Sequence, residues 1–491
     1  VAGRPTNTSR FLFAIGGDSG AASAPDTRGT VLDSAEAATV DVFGTMGTWS
    51  AQRNDLSAAV VASSSMAAPR TQAGSATIGR FVYVVGGYDG TSATDTLLRA
   101  EVLDPLAAPQ IADLDAALGD GVEGLGGGQW FYRVAAAFPI DDPNNPGGES
   151  LPGEVLPVQL PDREENIILT LDIEGIEDAT GYRIYRSPTV DGSAENLELL
   201  AVCPGAAGCD CSGADPVVCS YDDTGTATTG GVTPLPSGSL GVWHAADTAE
   251  RCADADCALS TPREGLATVA VQDPAQADTY YLYAFGGRDD VGTYLDTYEV
   301  AVITVDDSGL RQKQVVADWV AGSDTLDSPR ADLAAWVLRA RNSALIRGSG
   351  SPEDVWIYVG SGRTNMSTAE GQLDAGLVGA AGDLGTFIAE GSFNGLWGLG
   401  AGASNDQLYT FGGTTSSSGS SAALCGSPPV MGGGGCSAGV TDPPDLTNPN
   451  SLGNASTDRQ YMGYTQESAF FFLAGGHDGD TTLSTTEKTV Q

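Results

Sequence analysis

Few residues in this chain are equipped for chemistry. There are two histidines in 491 residues, His244 and His477. They are too far apart for the H-E-x-x-H pattern that places two imidazoles on one helix face around zinc. Neither accompanies a Gly-x-Ser-x-Gly elbow that would expose a nucleophilic serine. His477 directly follows a glycine pair and reads as a turn residue. Carboxylates are the second source of chemistry. Asp18, Asp89, Asp289, Asp290, Asp478 and Asp480 all follow glycine pairs, and oxygen-rich turns such as Asp478-Gly-Asp480 suit calcium. Calcium is therefore the one cofactor the sequence suggests. A complete EF-hand loop or calcium-binding nonapeptide is missing, and solvated turn carboxylates are the competing reading. No catalytic residue is expected, and the chain reads as a protein that is not an enzyme.

The eight cysteines are clustered. Cys252 and Cys257 are near neighbours, Cys425 and Cys436 flank a glycine run, and Cys203, Cys209, Cys211 and Cys219 share one segment. An even number of locally grouped cysteines in turn-rich sequence points to disulfides and an oxidising compartment. Zinc is the alternative, but the Cys-x₂-Cys knuckles of common zinc sites are absent. Cys209 and Cys211 are too close to bridge each other. Two pairings then stay open for the cluster of four: Cys203–Cys209 with Cys211–Cys219, or Cys203–Cys211 with Cys209–Cys219.

Charge narrows the partners. Sixty-three Asp and Glu against 23 Lys and Arg give a formal net charge of −40. Such a surface repels nucleic acid and anionic lipid, and no apolar stretch is long enough to span a bilayer as a helix. The chain opens at Val1, as a secreted protein does once its signal has been removed. The expected location is secreted or on the extracellular surface. Sequons at Asn7, Asn365 and Asn454 add little.

What positions these residues is a repeat. Arg80-Phe-Val-Tyr-Val-Val-Gly-Gly-Tyr-Asp-Gly90 recurs as Arg10-Phe-Leu-Phe-Ala-Ile-Gly-Gly-Asp18, Tyr281-Leu-Tyr-Ala-Phe-Gly-Gly-Arg-Asp289, Gln407-Leu-Tyr-Thr-Phe-Gly-Gly413 and Ala469-Phe-Phe-Phe-Leu-Ala-Gly-Gly-His-Asp-Gly479, with Val355-Trp-Ile-Tyr-Val-Gly-Ser-Gly362 as a degenerate copy. A short apolar run rich in Val, Phe and Tyr and stopped by glycine predicts a strand buried on both faces. The glycine pair predicts a turn that needs positive φ beside a packed neighbour. Downstream, Trp49, Trp243 and Trp319 mark an outer strand, and Pro69-Arg70, Pro262-Arg263 and Pro329-Arg330 open the next inner one. A repeat of this period predicts a propeller or array, and the motif resembles the kelch repeat. That resemblance implies an all-β, six-bladed propeller of four-stranded sheets over residues 1–104 and 236–491.

The spacing between Gly86 and Gly286 is far longer than that between other copies, so residues 105–235 read as an insertion between the third and fourth strands of blade two. Its short strands and Gly/Pro/Asp turns predict a β-sandwich. The run Ile173 to Ser187 resembles fibronectin type III-like modules, with Trp130 as the candidate core tryptophan. Closing the ring requires a fourth strand for blade six and a first strand for blade one, and Val1–Ser9 is long enough for only one of them. An unpaired edge invites strand addition or head-to-tail assembly. The expected function is therefore a structural or adhesive cell-surface protein that self-assembles into a filament or array, or joins other surface proteins. A monomeric module binding glycans or proteins is the alternative, and a carbohydrate-active enzyme ranks last.

Overall fold

The structure, a computed structural model, describes the chain except residues 7, 21–27, 52–54, 58–59, 62–65, 67, 120–123, 140–141, 143–144, 146–147, 163–166, 214, 246–251, 254–256, 309–311, 340–353, 393–394, 405–406, 416–422, 427–459, 469, 479–480 and 491. The fold is all-β and antiparallel throughout its larger sheets. Each glycine-terminated apolar run is the second strand of a sheet. In the second sheet Gly74–Ile78, Phe81–Val85, Leu97–Glu101 and His244–Ala245 pair in that order. All five residues of Phe81–Val85 are buried, as a strand covered on both faces requires. Corresponding orders hold for Ala2–Gly3, Phe11–Ile15, Ala35–Thr39 and Ser50–Ala51 in the first sheet. They hold also for Ala267–Gln272, Thr279–Phe285, Tyr298–Asp306 and Lys313–Val316 in the third, and for Ala334–Arg339, Val355–Gly360, Gln372–Leu377 and Ile388–Ser392 in the fourth. Among the described residues the fifth sheet (Trp397–Ser404, Gln407–Thr414, Ala423–Gly426) and the sixth (Gly463–Glu467, Phe470–Ala474, Thr486–Val490) have three strands each.

Residue types on facing surfaces decide which sheets meet. Phe11 and Phe13 of the first sheet pack on Val82 and Val84 of the second. Tyr83 and Val85 meet Leu282 and Ile303 of the third. Tyr283 and Phe285 meet Ile357 and Val359 of the fourth. Trp336 and Tyr358 meet Leu399 and Leu408 of the fifth, and Phe411 meets Phe471 and Leu473 of the sixth. A smaller cluster of Leu12, Val40 and Phe472 joins the sixth sheet to the first. Trp49, Trp243 and Trp319 each sit at or just before a short outer strand, where the sequence put them.

The glycine pairs do more than end strands. In all six copies two consecutive residues are left-handed, the first with φ between 56° and 63° and the second between 84° and 100°. The second donates its N–H to the entry segment of the next sheet: Gly17 to Arg70 O at 2.7 Å, Gly87 to Arg263 O at 2.7 Å, Gly287 to Arg330 O at 2.9 Å and Gly362 to Leu396 O at 2.6 Å. A Cβ on Gly286 would lie 2.6 Å from Arg330 O, so a side chain there would break the sheet-to-sheet approach. The degenerate copy keeps the geometry with Ser361 at φ 59°.

Residues 105–235 hold two four-stranded sheets that pair with no strand of the other six among the described residues. Ile111–Leu118, Ile167–Ile176, Val217–Asp223 and Cys209–Ser212 form one, and Leu156–Leu160, Gly128–Ala137, Gly181–Arg186 and Glu198–Cys203 the other. They share one core of Trp130, Tyr132, Leu169, Leu171, Tyr182 and Tyr221, with others. Buried Asp223 receives both Tyr132 Oη and Arg186 Nη1, at 2.8 Å each. The chain departs after Leu97–Glu101 and returns to pair His244–Ala245 against it. A contact of Leu103, Leu151 and Leu235 lies at the base.

The glycine geometry makes two substitutions informative. Gly286→Val should destabilise by at least ~2 kcal/mol, since it adds left-handed strain to a backbone clash. Ser361→Gly should stabilise by about 1 kcal/mol by relieving left-handed strain and removing a buried hydroxyl that has no hydrogen-bond partner among the described residues. Urea unfolding of both variants measures these effects.

Candidate functional site

A cavity of 670 Å³ is lined by residues in or beside strands of all six sheets. Its wall includes Gly74, Leu266, Leu333, Leu399 and Gly463, which belong to the entries or first strands of sheets two to six. From the first sheet the lining includes Val1 beside its inner strand, Ala14 and Ile15 of its second strand, Glu36 and Trp49. Around one mouth runs a second chain of backbone hydrogen bonds. Gly265 N donates to Gln72 O (2.8 Å), Asp332 N to Gly265 O (2.7 Å), Gly398 N to Asp332 O (3.0 Å) and Tyr461 N to Gly398 O (2.7 Å). All five residues are left-handed, with φ from 52° to 61°. Two are glycine; Gln72, Asp332 and Tyr461 bear the strain of a side chain there.

Those side chains carry a polar belt from sheet to sheet. Arg28 Nη2 reaches Gln72 Oε1 at 2.7 Å and Glu264 Oε2 at 2.8 Å, and its guanidinium lies 3.8 Å from the centre of the Tyr88 ring. Glu264 also receives Arg288 Nε at 2.8 Å. Gln72 Nε2 meets Asp332 Oδ1 at 3.4 Å, while Asp332 Oδ2 accepts from Arg363 Nε at 2.6 Å and from Tyr461 Oη at 3.2 Å. The Tyr461 ring stacks on His477 with centroids 5.8 Å apart. Burial pushes the Asp332 carboxyl upward, opposed by the Arg363 and Arg288 guanidinium groups and the Tyr461 hydroxyl. His477 is pushed below the usual imidazole range by burial, opposed by Asp18 and Asp478. Each carboxylate in the belt is thus matched by a guanidinium from another part of the chain. The arrangement ties elements of several sheets together, and Glu264 and Asp332 are each held in an ion pair.

The sequence did not single out Arg28, Gln72, Glu264, Arg288, Asp332, Arg363 or Tyr461. Part of a common signal was available: Arg288 follows a glycine pair and Arg363 its Ser361-Gly362 equivalent, Gln72, Glu264 and Asp332 follow a Pro-Arg entry, and Arg28 and Tyr461 follow neither. His477, expected as a turn residue, forms isolated β-bridges with Gln460 and Thr482 and lines the cavity. His244 lies on the outer strand of the second sheet.

The acidic turns stand separately. Asp89 Oδ1 accepts from the N–H groups of Thr91 and Ser92, and Asp289 Oδ1 from those of Val291 and Thr293. Asp478 holds Thr481 in the same way, and Asp18 Oδ1 accepts from Gly20 and Gly29 N–H. These carboxylates cap their own turns. Among the described residues, no three of Asp18, Asp89, Asp289, Asp290 and Asp478 converge at metal-binding distance; Asp480 lies outside them. The one group of potential ligands that does converge, Cys252, Cys257 and Asp318, contains a disulfide, which removes its thiolates.

Cys203 pairs with Cys209 and Cys211 with Cys219, the first of the two open pairings. The Cys425–Cys436 pair lies outside the described residues, apart from the Cys425 backbone in Ala423–Gly426. No described helix is long and apolar enough to cross a membrane.

Two measurements address the belt. Asp332→Ala removes one partner of the buried Asp332–Arg363 pair and should cost about 3–5 kcal/mol in denaturant unfolding. A buried imidazole with a lowered pKa binds its proton less readily than in the unfolded chain, so its contribution is present above the ordinary value of 6.5 and lost as pH falls below it. The melting temperature of the parent chain should therefore drop more than that of His477→Gln between pH 7 and pH 5 (about the imidazole window).

No family model matches the chain, and no curated protein matches it.

Proposed function

We propose that this chain is a secreted, non-enzymatic structural and adhesive protein, a six-bladed kelch-like propeller with a fibronectin III-like sandwich inserted in its second blade. The observation that carries the reading is the ion pairing of the mouth: Arg28 pairs with Glu264 of another sheet, and Arg288–Glu264 and Arg363–Asp332 close within the third and fourth sheets. An active site needs groups held in unequal protonation states near a reacting atom, whereas this belt is a set of cross-links. A cyclic succession of packed sheets, ending with Leu12, Val40 and Phe472, is what a propeller requires. Local disulfides suit a protein working outside the cell. The −40 charge favours cationic or glycan surfaces over nucleic acid and anionic membrane.

The sandwich would serve assembly: among the described residues its outermost strands Ile111–Leu118 and Leu156–Leu160 each pair with one neighbouring strand. Strand edges of this kind join copies or partners by main-chain hydrogen bonds. Negative-stain electron microscopy over a concentration series tests the reading. Discs bearing one knob, ordering into filaments or arrays as concentration rises, are expected. Isolated discs at every concentration would reject self-assembly, and particles without a disc outline would reject the propeller.

A further inference from the structure

Three of the chain's asparagines lie among the described residues, Asn145, Asn196 and Asn365. Of these, Asn365 alone begins an Asn-x-Ser/Thr triplet, Asn365-Met366-Ser367, the acceptor pattern for N-linked glycans. It sits at the tip of a small hairpin that follows the left-handed pair of the fourth sheet. Arg363–Asn365 runs antiparallel to Thr368–Ala369, with Arg363 opposite Ala369 and Asn365 opposite Thr368. The foot of the hairpin is fixed. Arg363 and Ala331 exchange backbone hydrogen bonds at 2.9 Å each, Glu370 N donates to Gly362 O at 2.8 Å, and Asp332 holds Arg363 Nε. The tip is open: Asn365, Met366, Ser367 and Thr368 are all exposed.

The local geometry suits an acceptor. Ser367 N–H donates to Asn365 Oδ1 at 2.9 Å, and Ser367 Oγ donates to the same oxygen at 3.2 Å. A backbone N–H can only donate, so the atom it meets is the carboxamide oxygen and not the nitrogen. The nitrogen, Nδ2, makes no hydrogen bond among the described residues. Buried Asn145 shows the contrast, since its Nδ2 is spent on Asp142 Oδ1 at 2.9 Å. A carboxamide nitrogen is a poor nucleophile because its lone pair is delocalised into the carbonyl. Two donors on Oδ1 stabilise the imidate that forms as Nδ2 gives up a proton, and the imidate nitrogen is nucleophilic.

We propose that Asn365 is an N-glycosylation site, receiving an oligosaccharide from a lipid-diphosphate donor through a transferase that acts outside the cytoplasm. Asn365 Nδ2 forms a bond to the anomeric carbon of the donor sugar. The bond from that carbon to the diphosphate oxygen breaks, the lipid diphosphate leaves with the electron pair, and one Nδ2 proton passes to a base of the transferase. Ser367 is a positioning residue, whose hydroxyl and N–H hold the carboxamide. The inference rests on the secretion part of the reading above. Its product is a bulky hydrophilic branch two residues from Arg363 of the mouth, covering Met366, which is 60% exposed.

The test is peptide mass spectrometry of the full chain purified from its native source, with extracellular and cytoplasmic fractions kept apart. In the exported protein the peptide containing Asn365 should carry an oligosaccharide mass that is lost sugar by sugar on fragmentation. Electron-transfer fragmentation should place that mass on Asn365. Asn365→Gln and Ser367→Ala should lose it, and Ser367→Thr, which keeps the hydroxyl, should retain it. Because both positions are exposed, the variants should melt like the unglycosylated parent. An unmodified Asn365 in exported chain whose cysteines are bridged would overturn this site alone and leave the secretion reading standing. A sugar mapped to Ser367 or Thr368 instead would also overturn it. Chain confined to the cytoplasm with free thiols would reject the secretion reading and this site together.

Discussion

Everything in the larger part of this chain depends on one short hydrogen bond repeated from sheet to sheet, from the N–H of a left-handed residue to the carbonyl at the entry of the next sheet. The bond needs two consecutive positive φ values, which is why the strand stops in a glycine pair. It also needs the neighbouring carbonyl within reach of bare backbone: the 2.3 Å and 2.6 Å gaps facing hypothetical Cβ atoms on Gly16 and Gly286 leave no room for a methyl group. Buried strand edges elsewhere satisfy their polar groups within one sheet. Here the turn satisfies them between sheets, so each sheet's position is specified by its neighbour.

The arginine of the Pro-Arg pair turns that backbone bond into a rigid joint. Its carbonyl takes the glycine N–H of the sheet before, while its side chain is spent on its own sheet. Arg263 bonds to the Gly286 and Thr297 carbonyls as well as to Glu299, and it is 1% exposed. A buried ion pair gains little net stability, since desolvation offsets most of the Coulomb attraction, but it penalises any arrangement that separates the charges. Specification of geometry is the better account of why charges are buried here. The second sheet illustrates the cost of omitting the acid. Leu98 stands where Glu299 and Asp374 stand in theirs, and Arg70 settles for Thr96 Oγ1 at 2.6 Å and its neighbour's carbonyl.

Legibility in the sequence followed the strength of the local signal. Second strands such as Phe81–Val85 and Thr279–Phe285 were readable because burial on both faces forces an unbroken apolar run. The degenerate copy at Val355–Gly360 was readable for the same reason. In the 105–235 segment, Gly181–Arg186 and Ile167–Ile176 were legible, but Ile111–Leu118, Leu156–Leu160 and Cys209–Ser212 were not. Ile111–Leu118 is an outer strand with mostly exposed positions, so only Ile111 and Leu114 face the core and its pattern is diluted. Leu156–Leu160 contains Pro157, which argues against a strand unless the strand is an edge, as this one is. The belt was hard to read for another reason. Arg28, Glu264, Asp332 and Tyr461 are scattered along the chain and share neither residue type nor spacing; Glu264 and Asp332 are marked by the Pro-Arg entries before them, whereas Arg28 carries no such mark.

That distinction bears on where function can reside in a repeating fold. Positions that every sheet needs, such as the paired glycines, are occupied by whatever satisfies the backbone and cannot vary much. Positions just beyond them, one residue after the pair and two after the arginine, face a common mouth and tolerate different side chains: Asp18, Tyr88, Arg288, Arg363 and His477 in the first set, Gln72, Gly265, Asp332 and Tyr461 in the second. Here those variable positions neutralise one another, and the mouth becomes a clasp.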